Sequence, residues 1–110
     1  MKTLKFIVKE NTITLDPSYN AESLIPGTRN QLQAEFVFSS DWNNCTKVAA
    51  FYSNLGREFE PRVLKNGKVC DIPAEALEKS IFKVKVLGQK NGQPPFSTNK
   101  VTVYQRGGKS

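Results

Sequence analysis

The feature that most constrains the fold of this chain is an alternation of apolar and polar residues with a period of two. From Leu32 to Phe38 every second residue is apolar, which is typical of a strand with one face on a core. A helical period is not sustained beyond a turn or two, and only residues 74–78, after Pro73, offer helical length. The sequence therefore predicts a β protein with one short helical turn.

Turn-forming residues divide the alternating segments into about eight short strands. A first hairpin reverses at residues 10–11, and a polar stretch over 18–30 predicts a long connection. Asn66 and Gly67 give the strongest hairpin signal, because a type I′ turn requires positive φ at both central positions. Pro61 lacks a backbone donor, so its segment is predicted to be an edge strand or a bulge.

Short strands without a helix-sized crossover favour an antiparallel two-layer β-sandwich of immunoglobulin-like type, with a small barrel as the alternative. A chain of 110 residues suits one domain, which we place at residues 1–106, with 107–110 as a flexible C-terminal tail. The predicted core comprises the large apolar residues of four strands: Leu32, Phe36, Phe38, Val48, Val84, Val86, Val101 and Val103.

Little catalytic chemistry is expected of this composition. The chain has no histidine, which removes the commonest general base and the commonest metal ligand. Cys45 and Cys70 stand far apart without a C-x-x-C pair, so we expect two free thiols, no metal site and no cofactor. The acidic residues sit mostly at turns and exposed ends, where no acid–base pair is identifiable. We expect a protein that is not an enzyme.

The charge is basic but dispersed. Sixteen Lys and Arg against ten Asp and Glu give a net charge of +6. The basic residues form no run, and many alternate along predicted strands, which favours solvated sheet faces over a specific nucleic-acid site. The sequence has no apolar stretch long enough to span a membrane, and charges interrupt residues 1–9 where a signal peptide needs apolar residues. We expect synthesis and retention in a cytoplasm, and no membrane partner.

Trp42, the single tryptophan, has two interpretations. Together with Phe51, Tyr52, Phe59 and Arg57 it could form a stacking platform for bases or sugars. The favoured interpretation is a core cap, in which the ring is buried and the indole N–H meets a loop carbonyl. Residues predicted to contact a partner lie near turns, edges and strand ends: Trp42, Arg57, Phe59, Pro61, Pro94, Pro95 and Tyr104.

Six short segments in a fixed order carry a family resemblance: FVFSSDW (36–42), KVAAF (47–51), NGK (66–68), IPAEAL (72–77), FKVKVLG (82–88) and TNKV (98–101). Together they resemble a β-sandwich domain found in tail or baseplate proteins of tailed phages of Gram-positive bacteria, and the resemblance covers nearly the whole chain. The resemblance implies a non-enzymatic virion structural or accessory protein, in the tail, in the baseplate or associated with the capsid. Its partners would be other virion proteins or copies of itself.

Longer members of that family continue into fibre or receptor-binding segments, whereas this sequence stops at Ser110, so a decoration or adaptor role is expected. The protein would be made in the bacterial host cytoplasm and, if structural, carried in the virion. Two alternatives stay open. One is a phage-encoded inhibitor that binds a host defence protein or a nucleotide through its basic face. The other is a basic single-strand nucleic-acid-binding module, which needs exposed aromatic residues among the basic ones.

Overall fold

The alternating segments of the sequence form most of the structure. A computed structural model describes residues 2–16, 32–78 and 80–104, and this part of the chain is mostly β, with two sheets. The predicted connection over 18–30 and the predicted tail at 107–110 lie outside the described residues. The elements, in chain order, are β1 (Lys2–Lys9), β2 (Thr12–Leu15), β3 (Leu32–Phe38), a 3-10 turn (Ser40–Trp42), β4 (Thr46–Ser53), β5 (Arg62–Val63), β6 (Val69–Asp71), α1 (Ala74–Leu77), β7 (Ile81–Gln89), β8 (Phe96–Ser97) and β9 (Val101–Tyr104).

The first sheet has the strand order β2-β1-β3-β6. β1 and β2 form the predicted antiparallel hairpin, and β6 pairs with β3 in the same antiparallel sense. β3 pairs with β1 in parallel, from Lys2 opposite Leu32 to Val8 opposite Phe38. The prediction of a wholly antiparallel sandwich is therefore wrong at this pair. β2 reverses the chain and β3 reverses it again, so β3 runs in the direction of β1, and it adds on the far side of β1 instead of beside β2.

The second sheet has the order β5-β4-β7, with β8 and β9 both paired to β7. β4 lies between two neighbours and is buried over 49–52, as expected of an inner strand. The single last strand predicted from residue 96 onward is broken between β8 and β9. At the break the Thr98 hydroxyl, in place of a backbone carbonyl, accepts the Val86 N–H at 3.1 Å.

The two sheets share one core. Phe6 and Phe36 of the first sheet stack with ring centroids 5.1 Å apart, and Phe51 and Phe82 of the second sheet contact each other at 6.5 Å. The predicted core residues that are buried are Phe36, Val84, Val86 and Val103.

Other core predictions fare differently. Phe38 and Val101 are only partly buried and pack against the core, and the side chain of Leu32 lies outside what the structure describes. Val48 is a correction: Ala49 and Phe51, not Val48, are core residues of β4. Val48 pairs with the exposed Val63 on the opposite face of the sheet. Periodicity identifies the two faces of a strand but not which of them meets the core, when both are apolar.

Turn chemistry is well predicted. Asn66 and Gly67 have φ of 54° and 71°, and the Lys68 N–H donates to the Lys65 carbonyl at 3.0 Å, which confirms the type I′ turn. Pro61 precedes the two-residue edge strand β5, as its missing donor predicted. Pro73 caps α1 instead of occupying its first helical position. Among the described residues there is no helix long and apolar enough to cross a membrane.

Candidate functional site

Trp42 closes one end of the core. Its side chain is fully buried, with ring centroids 5.2 Å from Phe38 and 4.7 Å from Phe96. The indole N–H donates to the Glu10 carbonyl at 2.6 Å, in the turn of the first hairpin. The core-cap interpretation is therefore confirmed.

The aromatic residues around Trp42 do not form one platform. Phe51 and Phe59 are buried in the same core as Trp42, and the Phe59 N–H donates to the Phe51 carbonyl at 2.8 Å. Tyr52, one residue further along β4, is outside that core cluster and lies on the opposite, outer face of the second sheet. No shared ring surface for bases or sugars results from this arrangement.

Five of the predicted partner-contact residues lie on the surface: Arg57, Pro61, Pro94, Pro95 and Tyr104. Trp42 and Phe59 are buried, so their rings are not exposed for direct contact. The partner-contact role of all seven residues stays a prediction.

Two exposed apolar residues, Leu55 and Tyr104, lie toward the same end of the second sheet. The turn after β4 places Leu55 at its tip with 96% of the residue exposed, and Arg57 N–H donates to the Ser53 hydroxyl at 3.0 Å to close that turn. Tyr104, 55% exposed, pairs with Ile81 at the same end of the sheet, because Ser53 pairs with the neighbouring Phe82. We call Leu55, Arg57, Ile81 and Tyr104 the Leu55 end.

A basic cluster lies on the outer face of the same sheet. The Lys100 ammonium is 4.0 Å and the Lys85 ammonium 5.7 Å from the centroid of the Tyr52 ring. Lys83 lies directly between Tyr52 and Thr102 in the β4–β7–β9 register. Because the lysines cover Tyr52, which is 8% exposed, this cluster offers positive charge but little aromatic surface.

Sequence reasoning named Arg57 and Tyr104, and it placed basic residues on sheet faces, but it missed Leu55 and the meeting of Lys85 with Lys100. Leu55 is an apolar residue between Asn54 and Gly56, and this position in a predicted turn was the available signal. Lys85 and Lys100 are brought together by strand register, which an alternating pattern does not specify between distant strands.

The Cys70 thiol is poorly suited to nucleophilic chemistry. Both cysteines are free, as predicted, with Cys45 partly buried and Cys70 buried on β6. Burial, and to a lesser extent the Asp71 carboxylate, raise the pKa of the Cys70 thiol from 9.0 to about 12 against an opposing effect of Arg62. Cys70 is thus a protonated, packed thiol at neutral pH. Within residues 2–16, 32–78 and 80–104, no three His, Cys, Asp or Glu side chains are grouped as metal ligands.

Comparison with known proteins identifies no relative. No family model, no curated protein and no solved structure matches the chain. The surfaces described above are therefore the basis for a functional proposal.

Proposed function

We propose that this protein is a non-enzymatic module that acts by protein–protein assembly, with the Leu55 end as its contact surface. The observation that carries the proposal is Leu55 itself, a large apolar side chain left 96% exposed at a turn tip. Tyr104 and Arg57, at the same end of the sheet, belong to the residue types enriched at the centres of interfaces. A single exposed apolar residue is ordinary, but apolar, aromatic and Arg side chains at one sheet end make a plausible contact patch.

The phage setting of the proposal comes from the sequence resemblance alone. On that basis the partners are other virion proteins or further copies of this chain, and the protein is a tail, baseplate or capsid-associated component. We also infer that the two sheets form an immunoglobulin-like sandwich, which is supported by their common core and by the predominance of antiparallel pairs. Mass spectrometry of purified virions tests the setting: stoichiometric presence supports it, and absence moves the function to a host-directed inhibitor.

The contact surface is tested by replacing Leu55→Ser and measuring association by light scattering across protein concentrations, alone and with neighbouring virion proteins. We expect the variant to lose association that the parent chain shows. Val63→Ser is the matched control, because Val63 is 69% exposed on the same sheet but belongs to the edge strand β5. A parent chain that stays monomeric and joins no virion protein contradicts the proposal, as does equal loss in both variants.

The basic cluster supports a second candidate function, binding of an anionic partner such as a nucleotide, a nucleic acid or an acidic host protein. Three lysines on one sheet face attract anions, but the covered Tyr52 ring leaves little surface for base stacking. We expect affinity for single-stranded DNA near the non-specific range of about 10⁻⁴–10⁻⁶ M, falling steeply with salt. Fluorescence anisotropy at two salt concentrations measures this, with Lys85→Met against Lys65→Met as control. Sub-micromolar, salt-resistant binding lost only in Lys85→Met would establish this function instead.

A further inference from the structure

The edge of β3 is paired along only part of its length. β6 pairs with β3 from Gln33 to Glu35, and the Phe36 N–H donates to the Lys68 carbonyl at 2.8 Å. Beyond that bond the chain turns away from β3 through the type I′ turn. Backbone groups alternate sides along a strand, so the N–H and C=O of Phe38 face the same side as those of Phe36. The described residues provide no hydrogen-bond partner for them on that side.

A groove of about 380 Å³ lies against this unpaired edge. β3 lines it over residues 35–38, and its other walls are Asn43, Lys47 and the turn residues 66–68. The volume is at the lower end of the range for binding pockets, and suits a few side chains of an extended segment better than a large cofactor.

The charge in the groove is positive. The Lys47 ammonium lies 5.2 Å from the centroid of the Phe38 ring, and donates to the Cys45 carbonyl at a long 3.4 Å. Lys68 is the second cation in the lining, and in the described part of the chain neither lysine makes an ion pair. Glu35, the one acid in the lining, lies directly opposite Lys5 in the β1–β3 register, where opposite charges attract. The groove is thus complementary to a carboxylate.

We infer that this groove, the Phe38 groove, binds an extended acidic segment of a partner protein by strand addition. The segment pairs its backbone with the N–H and C=O of Phe38, and an Asp or Glu side chain meets Lys47 and Lys68. The net charge of +6 draws an acidic partner toward the chain before contact. This inference deepens the proposed assembly function by naming a partner chemistry, and it uses residues separate from the Leu55 end.

The test uses the ¹⁵N-labelled full chain and a capped hexapeptide of alternating valine and glutamate, titrated by NMR. We expect shift changes concentrated at Phe38, Lys47 and residues 66–68. Lys47→Met keeps the aliphatic stem and removes the charge, and we expect about three- to fivefold weaker binding, the size of one partly exposed ion pair. Lys90→Met, in the turn after β7 and outside the groove lining, is the control and should bind as the parent does.

Three further outcomes decide between strand addition and other binding. A peptide N-methylated at alternate residues should bind much more weakly if backbone pairing is required. Inorganic phosphate that reproduces the same shifts and displaces the peptide would overturn strand addition in favour of a simple anion site. Shifts centred on Lys85 and Lys100 would overturn the location. Leu55→Ser should retain peptide binding, so failure here is distinguishable from failure of the Leu55 end.

Discussion

The first sheet has two edges, of which one is covered by a side chain and the other is partly open. At the β2 edge the Asn99 side chain acts as a substitute strand: its Oδ1 accepts the Ile13 N–H at 3.0 Å, and its Nδ2 donates to the Ile13 carbonyl at 3.3 Å. The Asn99 N–H also donates to the Asn11 carbonyl at 3.2 Å, which ties this edge to the second sheet. At the other edge β6 ends early, and the backbone of Phe38 faces the Phe38 groove.

The β2 edge is therefore covered by a side chain, whereas the β3 edge at Phe38 is left without a hydrogen-bond partner among the described residues. An unpaired strand edge is a liability that natural proteins usually cover, because it templates pairing with other chains. The break between β8 and β9 releases Asn99 to cover one edge. The open edge lies beside Lys47 and Lys68, which make no ion pair among the described residues, and is therefore the place where pairing with a partner is expected.

The largest predicted effect comes from Gly88→Ala, which disturbs Trp42, the residue that contacts both Phe38 and the turn between β1 and β2. A Cβ at Gly88 would lie 2.6 Å from Cζ3 of Trp42 and 3.0 Å from the Phe96 ring. Trp42 or Phe96 would have to shift, which disturbs the contact of Trp42 with Phe38 and its hydrogen bond to the Glu10 carbonyl. We expect a loss of about 3 kcal/mol in the free energy of unfolding, measured by urea denaturation.

Adding Trp42→Phe to Gly88→Ala checks the cause of that loss, since a smaller ring leaves room for the new methyl group. The double variant should be less destabilised than the sum of the two single variants. Strict additivity, or a Gly88→Ala variant as stable as the parent, contradicts the close packing described for this end.

Asn99→Ala should break the sealed edge. The Ile13 N–H and carbonyl lose their partners, and we expect about 1–2 kcal/mol of destabilisation together with new self-association through the exposed β2. Asn91→Ala is the control, because Asn91 is an exposed turn residue. Denaturation and light scattering measure the two effects, and a variant that matches the control in both would show that Asn99 does not seal the edge.

A further effect concerns Cys70, which lies on β6 opposite Ala34 of β3. Its thiol has a raised pKa in the folded chain, about 12 against 9.0, so between these pH values the unfolded chain releases a proton that the folded chain keeps. The stability that Cys70 contributes is therefore present below pH 9 and is lost as pH rises toward 12. We compare two variants, Cys45→Ser alone and Cys45→Ser combined with Cys70→Ala. Plots of their free energy of unfolding against pH should differ in slope above pH 9. Parallel curves would contradict the raised pKa.

Local patterns predicted much of the fold. The type I′ turn, the edge position after Pro61, the strand from Leu32 to Phe38 and the burial of Trp42 follow from turn chemistry, periodicity and the size of the indole ring. Relations between distant segments were harder to predict. The parallel pairing of β1 with β3 and the outward placement of Val48 depend on sheet order, which short-range alternation does not encode.

The candidate surfaces show the same limit. Tyr104 was predicted to be at the surface from its position near a strand end, and it is exposed. The Phe38 groove was not predicted, because it depends on where β6 stops relative to β3 and on the register that brings Lys47 and Lys68 to one place. Each of these lysines alone resembles a solvated side chain of a strand or turn.

Amide hydrogen exchange, followed by NMR on the full chain, tests the contrast between the two edges most directly. We expect slow exchange for Ile13, bonded to Asn99, and for Phe36, bonded to Lys68, but fast exchange for Phe38. Adding the valine–glutamate peptide should slow Phe38 selectively and leave Ile13 unchanged. A Phe38 amide that exchanges as slowly as Phe36 in the free protein would contradict the claim that this edge is open.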